Sequence, residues 1–188
     1  MKKNILIIGI LTVSLILFGC KSKKQGDSNI NRTDETYNEL RKSVFNVTPD
    51  KIGLKRESSG QVWGFVMETR YPKGIYTLIA FADGSASLYF STGGGYIGLG
   101  QKEEIQKIIQ ILLSTSENYI SSFTLSSTYA LPEPGMTSMY LFTWDGTLTA
   151  SENEKILTDG QSYLSPLFFQ AHSLISAARV LDEKKGEK

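Results

Sequence analysis

The residues most suggestive of chemistry in this chain are glycines. Gly93, Gly94, Gly95, Gly98 and Gly100 fall within eight positions, between a run of strand-forming residues and the start of a helical period. Glycine lets backbone amides approach an anion closely, and a glycine turn that opens a helix can cradle a phosphate. Gly93, Gly95 and Gly98 keep the G-x-G-x-x-G spacing of a dinucleotide site. However, no Lys-Ser/Thr pair follows, as a nucleoside-triphosphate loop requires. The strand before the run returns from a hairpin rather than a parallel crossover, and no acidic strand end lies about 20 residues further on. A bulge or tight turn between strand and helix is the first reading, and an anion or small-ligand site is the second.

Glu68 and Arg70 lie two apart in a strand pattern and so share one face, where they could form a polar site. A solvated face is the simpler account. Asp83 and Asp145 each precede glycine and read as turn residues. His172 is the only histidine and Cys20 the only cysteine, so zinc ligation and an internal disulfide have no partners to draw on. No G-x-S-x-G elbow supports a serine nucleophile. Trp63, Tyr76, Tyr89, Phe90 and Trp144 read as sheet packing rather than a ligand platform. No metal or cofactor is expected, and no catalytic motif marks an enzyme.

These residues need a scaffold. Residues 34–47 place Tyr37, Leu40, Val44 and Phe45 at helical spacing, with Thr33 or Asp34 as cap and Pro49 as the stop. Val62–Arg70, Ile75–Ala82 and Ser85–Thr92 read as three strands joined by a Tyr71–Gly74 turn and an Asp83-Gly84 hairpin. The glycine run is too flexible for a regular element of its own. A helix follows from about Gln101, with an apolar stripe from Ile105 through Leu112 to Phe123. Residues 124–136 read as a loop. Ser138–Trp144 and Thr147–Ser151 read as a second hairpin, residues 152–161 as a polar connection, and Ser165-Pro166 as the start of a last helix. The expected class is α+β: an antiparallel sheet of about five strands with two or three helices packed on it. The order is loosely similar to that of profilin-like and roadblock-like domains, an analogy of fold that carries no function.

The start of the chain sets its address. Lys2 and Lys3 precede an uncharged apolar run, Ile5–Phe18, and Leu17-Phe18-Gly19 leads directly into Cys20. The run is too short for a permanent membrane span, which needs roughly 20 apolar residues. A charged start, a short apolar core and a small residue at the cut are the marks of a secretory signal. Leu17, Gly19 and Cys20 together resemble the lipobox of bacterial lipoproteins. The resemblance implies cleavage before Cys20 and a lipid on its sulfur, with further acylation of the freed amine. Lys21, in place of the aspartate tied to inner-membrane retention in enteric bacteria, points mildly to the outer membrane.

The expected organisation is therefore a signal peptide at 1–19, a lipidated cysteine and flexible tether at 20–33, and one α+β domain at 34–188. The 188 residues carry 20 Lys and Arg against 19 Asp and Glu. A near-neutral domain lacks the basic footprint of a nucleic-acid binder. Within the domain, WGFVMETRYP and LIAFADGSASLYFSTGGGYIG are similar to a pattern of uncharacterised bacterial proteins, a resemblance that implies no activity. The functional expectation is a membrane-tethered envelope domain that binds a protein or envelope partner. A ligand module using Gly93–Gly100, and an enzyme of unknown class, are the alternatives.

Overall fold

A computed structural model describes residues 27–56 and 61–186. The leader, Cys20 and the first residues of the expected tether lie outside the described residues. The architecture is α+β, built on one seven-stranded antiparallel sheet in the order β4-β3-β2-β1-β6-β7-β5. The strands are β1 (Val62–Tyr71), β2 (Gly74–Phe81), β3 (Ala86–Phe90), β4 (Gly95–Ile97), β5 (Thr124–Leu125), β6 (Met136–Thr143) and β7 (Gly146–Asn153). The helices are α1 (Asp27–Phe45), α2 (Glu103–Glu117), α3 (Glu154–Thr158) and α4 (Ser165–Gly186).

The five expected strands form the middle of the sheet, and the two additional ones are its edges. β4 arises inside the glycine run, which therefore does carry a short regular element. β5 lies in the segment 124–136 that reads as loop, and α2 stops at Glu117, short of the expected stripe end, with Tyr119, Ile120 and Phe123 packing beyond it. α3 is a single turn in the polar connection. Its cap is Asn153, whose side-chain oxygen accepts from the amides of Lys155 at 3.0 Å and Ile156 at 3.4 Å. α1 starts seven positions earlier than the expected Asp34, so Thr33 and Asp34 are interior to it and the expected tether is helical from Asp27 onward.

Helices cover both faces of the sheet. On one face, Ile105, Ile109 and Leu112 of α2 and Leu167, Ala171 and Leu174 of α4 meet Phe65, Met67, Leu78 and Leu141 from the central strands. All these positions are almost fully withdrawn from water, and the i, i+4, i+7 stripe is what makes both helices lie flat on the pleat. On the other face α1 sits on an aromatic layer of Trp63, Phe81, Tyr89, Tyr140 and Phe142. β1 and β2 are buried from both sides, which explains their nearly continuous apolar character.

Trp63 reaches the α1 face through a register shift. The pairs Val62–Thr143 and Gly64–Phe142 leave Trp63 as the extra residue of a bulge, so Trp63 and Phe65 point to opposite faces. α1 crosses the strands rather than following them. Tyr37 meets Tyr89 of β3 and Thr77 of β2, Arg41 meets Glu68 of β1, and Phe45 meets Tyr140 and Phe142 of β6. At about 1.5 Å per residue, the turns before Tyr37 project past the β4 side of the sheet.

Candidate functional site

The strand register assembles a polar row that no single strand displays. On the α1 face, Tyr89, Thr77, Glu68, Ser138 and Ser151 are successive cross-strand neighbours on β3, β2, β1, β6 and β7. On the opposite face the adjacent row is Phe90, Tyr76, Thr69, Thr137 and Glu152. Each of the five strands contributes one residue to each row, and pairing aligns them.

Glu68 is the centre of the first row and is fully buried, with 0 % exposure. The solvated account of its face is therefore corrected: α1 lies over it. Arg41 donates from Nε to Oε1 at 2.7 Å and from Nη2 to Oε2 at 2.8 Å. This two-pronged geometry matches the planar guanidinium to the carboxylate. The same Nη2 donates to the carbonyls of Tyr129 at 2.7 Å and Ala130 at 3.4 Å. Thr77 Oγ1 donates to Glu68 Oε1 at 3.3 Å, and the Tyr37 hydroxyl lies 2.9 Å from Thr77 Oγ1. Burial works against the charge of Arg41, but the hydrogen bonds and charge of Glu68 outweigh it and raise its pKa.

Burial, helped by Glu68, pushes the phenols of Tyr37 and Tyr89 up, and that of Tyr140 to about 12. With both its oxygens occupied and no water access, the Glu68 carboxylate has no free edge to offer a substrate. Its effect is mechanical: it ties α1 and the 129–130 segment to β1. Arg70, on the same face, reaches the Pro132 carbonyl at 3.4 Å and ties down the same loop.

His172 of α4 lies on the second row. Its Nε2 is 3.1 Å from the Tyr76 hydroxyl and its ring is 4.2 Å from that of Phe168. Burial, with a lesser contribution from Arg179, lowers its pKa. Thr69 and Thr137 bond each other at 2.9 Å, and Glu152 accepts from Ser162 Oγ at 3.2 Å and from the Asn153 amide at 2.8 Å. Among the described residues, no three His, Cys, Asp or Glu side chains converge as metal ligands.

The glycine run is placed as turn and packing. Gly93 donates its amide to the Phe90 carbonyl at 3.0 Å, and the Gly94 carbonyl accepts from Phe90 at 3.2 Å, closing the β3–β4 hairpin. Gly95 pairs with Tyr89, and Gly98 turns the chain at φ 71° before a short 3-10 turn at Leu99–Gln101. Gly100 packs so closely on the Gly84 carbonyl that any Cβ would collide with it. The amide of Gly93 and the carbonyl of Gly94 serve the hairpin, and Glu103 and Glu104 already occupy the first turn of α2. An anion approaching there would meet negative charge.

The chain matches no family model, curated protein or solved structure. What the exposed surface offers is apolar edge. Leu125 on β5 is 71 % exposed and Ile97 on β4 is 72 % exposed. Near the β5 side, the Tyr119 and Tyr163 rings lie 5.2 Å apart, and Tyr163 is largely open to solvent. β7 runs for eight residues, but β5 pairs with it only at Leu148 and Thr149. The Thr147 carbonyl faces outward, to the Ser126 amide. By the two-residue strand period, the backbone of Ser151 faces the same edge, with no strand opposite. Sequence patterning missed both edges because two or three residues carry no measurable period. The signal present was the short alternation Phe123-Thr124-Leu125 among hydroxyl residues. Among the described residues, no helix is long and apolar enough to cross a membrane.

Proposed function

We propose that the protein is a lipid-anchored domain of the bacterial envelope that binds a polypeptide partner along its β5–β7 edge. The observation that carries the binding reading is the short β5, which leaves the outer backbone of β7 open beyond Thr149, on the same edge as the exposed Leu125 opposite Leu148. Edge strands are normally blunted because they template pairing with another chain. An added strand gains main-chain hydrogen bonds, and apolar side chains beside it give selectivity. The inward use of Glu68, Arg41 and Tyr76 fits a scaffold whose polar groups hold it together. The anchor rests on Leu17, Gly19 and Cys20 and on the short apolar leader.

Two measurements test the two halves separately. Fractionation and intact-mass analysis should find a lipidated product beginning at Cys20, and Cys20→Ser should leave the membrane fraction. An intact Met1 and a bare thiol would remove the anchor. Crosslinking in the native envelope should trap a specific partner that is lost in Leu125→Asp and kept in Ile97→Asp. Equal trapping by both variants would remove the proposed edge.

A further inference from the structure

Residues 27–56, which hold α1 and a 3-10 turn at Pro49–Ile52, come before every strand in the chain. Among the described residues, no backbone–backbone hydrogen bond joins this arm to the sheet. The amides of Asn46, Val47, Lys51, Gly53 and Leu54 all bond to carbonyls within the arm. Lifting the arm would therefore break no rung of the seven-stranded ladder and would leave α2 and α4 in place on the far face. Its apolar hold is also the smaller. Among the described residues, α1 buries two apolar side chains, Tyr37 and Val44, whereas α2 buries four and α4 six. Leu40, Phe45 and Ile52 add contacts that are only part-buried. A region with few buried apolar contacts opens at a lower free energy than the core.

The polar fastenings do not make up that difference. Tyr37 bonds Thr77, Arg41 bonds Glu68, and Arg56 Nη2 donates to Asp145 Oδ1 at 2.8 Å where both side chains are exposed. A substitution that removes Arg41 strands Glu68 in the interior, but lifting α1 returns both charges to water. A buried pair opened in that way recovers its desolvation cost, so it adds little to closure. The Tyr89 hydroxyl is buried with no hydrogen-bond partner, and its ring meets that of Tyr37 edge-on at 5.6 Å. Opening would give that hydroxyl a water partner, which further favours the open form.

We infer that residues 27–56 are a strap that opens and recloses as one unit on an intact sheet, uncovering the aromatic layer of Trp63, Phe81, Tyr89, Tyr140 and Phe142. The strap is also the first described element after Cys20, so a pull on a lipid tether would load it before the sheet; that step alone rests on the anchor reading. The opening is tested without it, by hydrogen exchange of the full-length protein in detergent over urea concentrations below the unfolding transition. Amides of residues 37–45 should share one urea-dependent opening, with protection roughly a hundredfold lower than in β1 and α2. Ile109→Val, a mild cut in the opposite layer, should speed exchange in β1 and α2 about fivefold. It should leave residues 37–45 unchanged, because that layer stays packed while the strap is open. Protection of 37–45 equal to that of β1, exchange there without urea dependence, or a fivefold gain there in Ile109→Val would each overturn the inference.

Discussion

Removing Arg41 should cost more than removing its partner Glu68, although the two make the same salt bridge. The Arg41 side chain is 14 % exposed and the Glu68 side chain 0 %. Arg41→Ala deletes both prongs on the carboxylate and the bonds to the Tyr129 and Ala130 carbonyls. Glu68 is then left charged in the dry interior, with only Thr77 as donor at 3.3 Å. Breaking a buried pair in this way costs about 3–5 kcal/mol, a large share of the 5–15 kcal/mol that holds a typical domain together. Glu68→Ala leaves a guanidinium that keeps its two carbonyls and can turn toward water, so a loss of about 2 kcal/mol is expected. Replacing both by apolar residues, Arg41→Met with Glu68→Leu, should return stability to within about 1 kcal/mol of the parent, because the desolvation cost disappears with the charges. Urea unfolding of the four proteins compares these losses directly, and Arg41→Ala should lower the melting temperature by about 10 °C. A loss under 1 kcal/mol for Arg41→Ala, or a double variant as unstable as the two losses summed, would refute the assignment of this pair as the clamp on α1.

His172 should make stability fall in mild acid. Its folded pKa lies below the ordinary 6.5, so the stability present above that value drains away as pH falls through the folded pKa. Urea melts at pH 7.5 and 5.5 should differ, and the part of that difference due to His172 should vanish in His172→Gln; an unchanged slope would contradict this. Burial raises Tyr76 and Tyr140 to about 12, and Tyr37 and Tyr89 further, so stability should be lost as pH climbs from 10 toward and beyond 12. Ultraviolet titration should show four phenols ionising late and together with unfolding. Among the glycines, Gly94→Ala meets open space and carries only the strain of φ 80°, about 1 kcal/mol, whereas Gly100→Ala collides with backbone and should cost at least about 3 kcal/mol. Equal melting temperatures for the two would show that the Gly84 contact yields freely.

The central sheet and the two long core helices were legible because their signals are local and repeated. Two DG turns, alternating or continuous apolar runs, and the stripe from Ile105 to Leu112 each span several residues. The polar row was not legible. That Glu68 and Arg70 share a face follows from strand geometry alone, but what covers that face is a helix whose Arg41 lies 27 residues upstream. Nothing near Glu68 announces its partner. Gly100 shows the same limit in another form. Its need to be glycine comes from the Gly84 carbonyl, 16 positions away, and not from the turn around it. Trp63 shows it a third time, since a one-residue bulge moves its ring from one core to the other. The short α3 is different, because Asn153 and the Glu154 that follows it are a readable helix start inside a segment whose polarity suggested loop.

The early start of α1 bounds the length of the proposed leash. Only six residues separate Cys20 from Asp27, and at about 3.5 Å each they reach little more than 20 Å even at full stretch. With Cys20 held in lipid, the cord would enter the molecule from the side where β4 ends the sheet. The β5 margin lies six strand spacings away, close to 30 Å. Under the proposed anchor, so short a mooring on one flank would turn the far flank outward, and a partner arriving from the aqueous space would meet Leu125 before it met the bilayer.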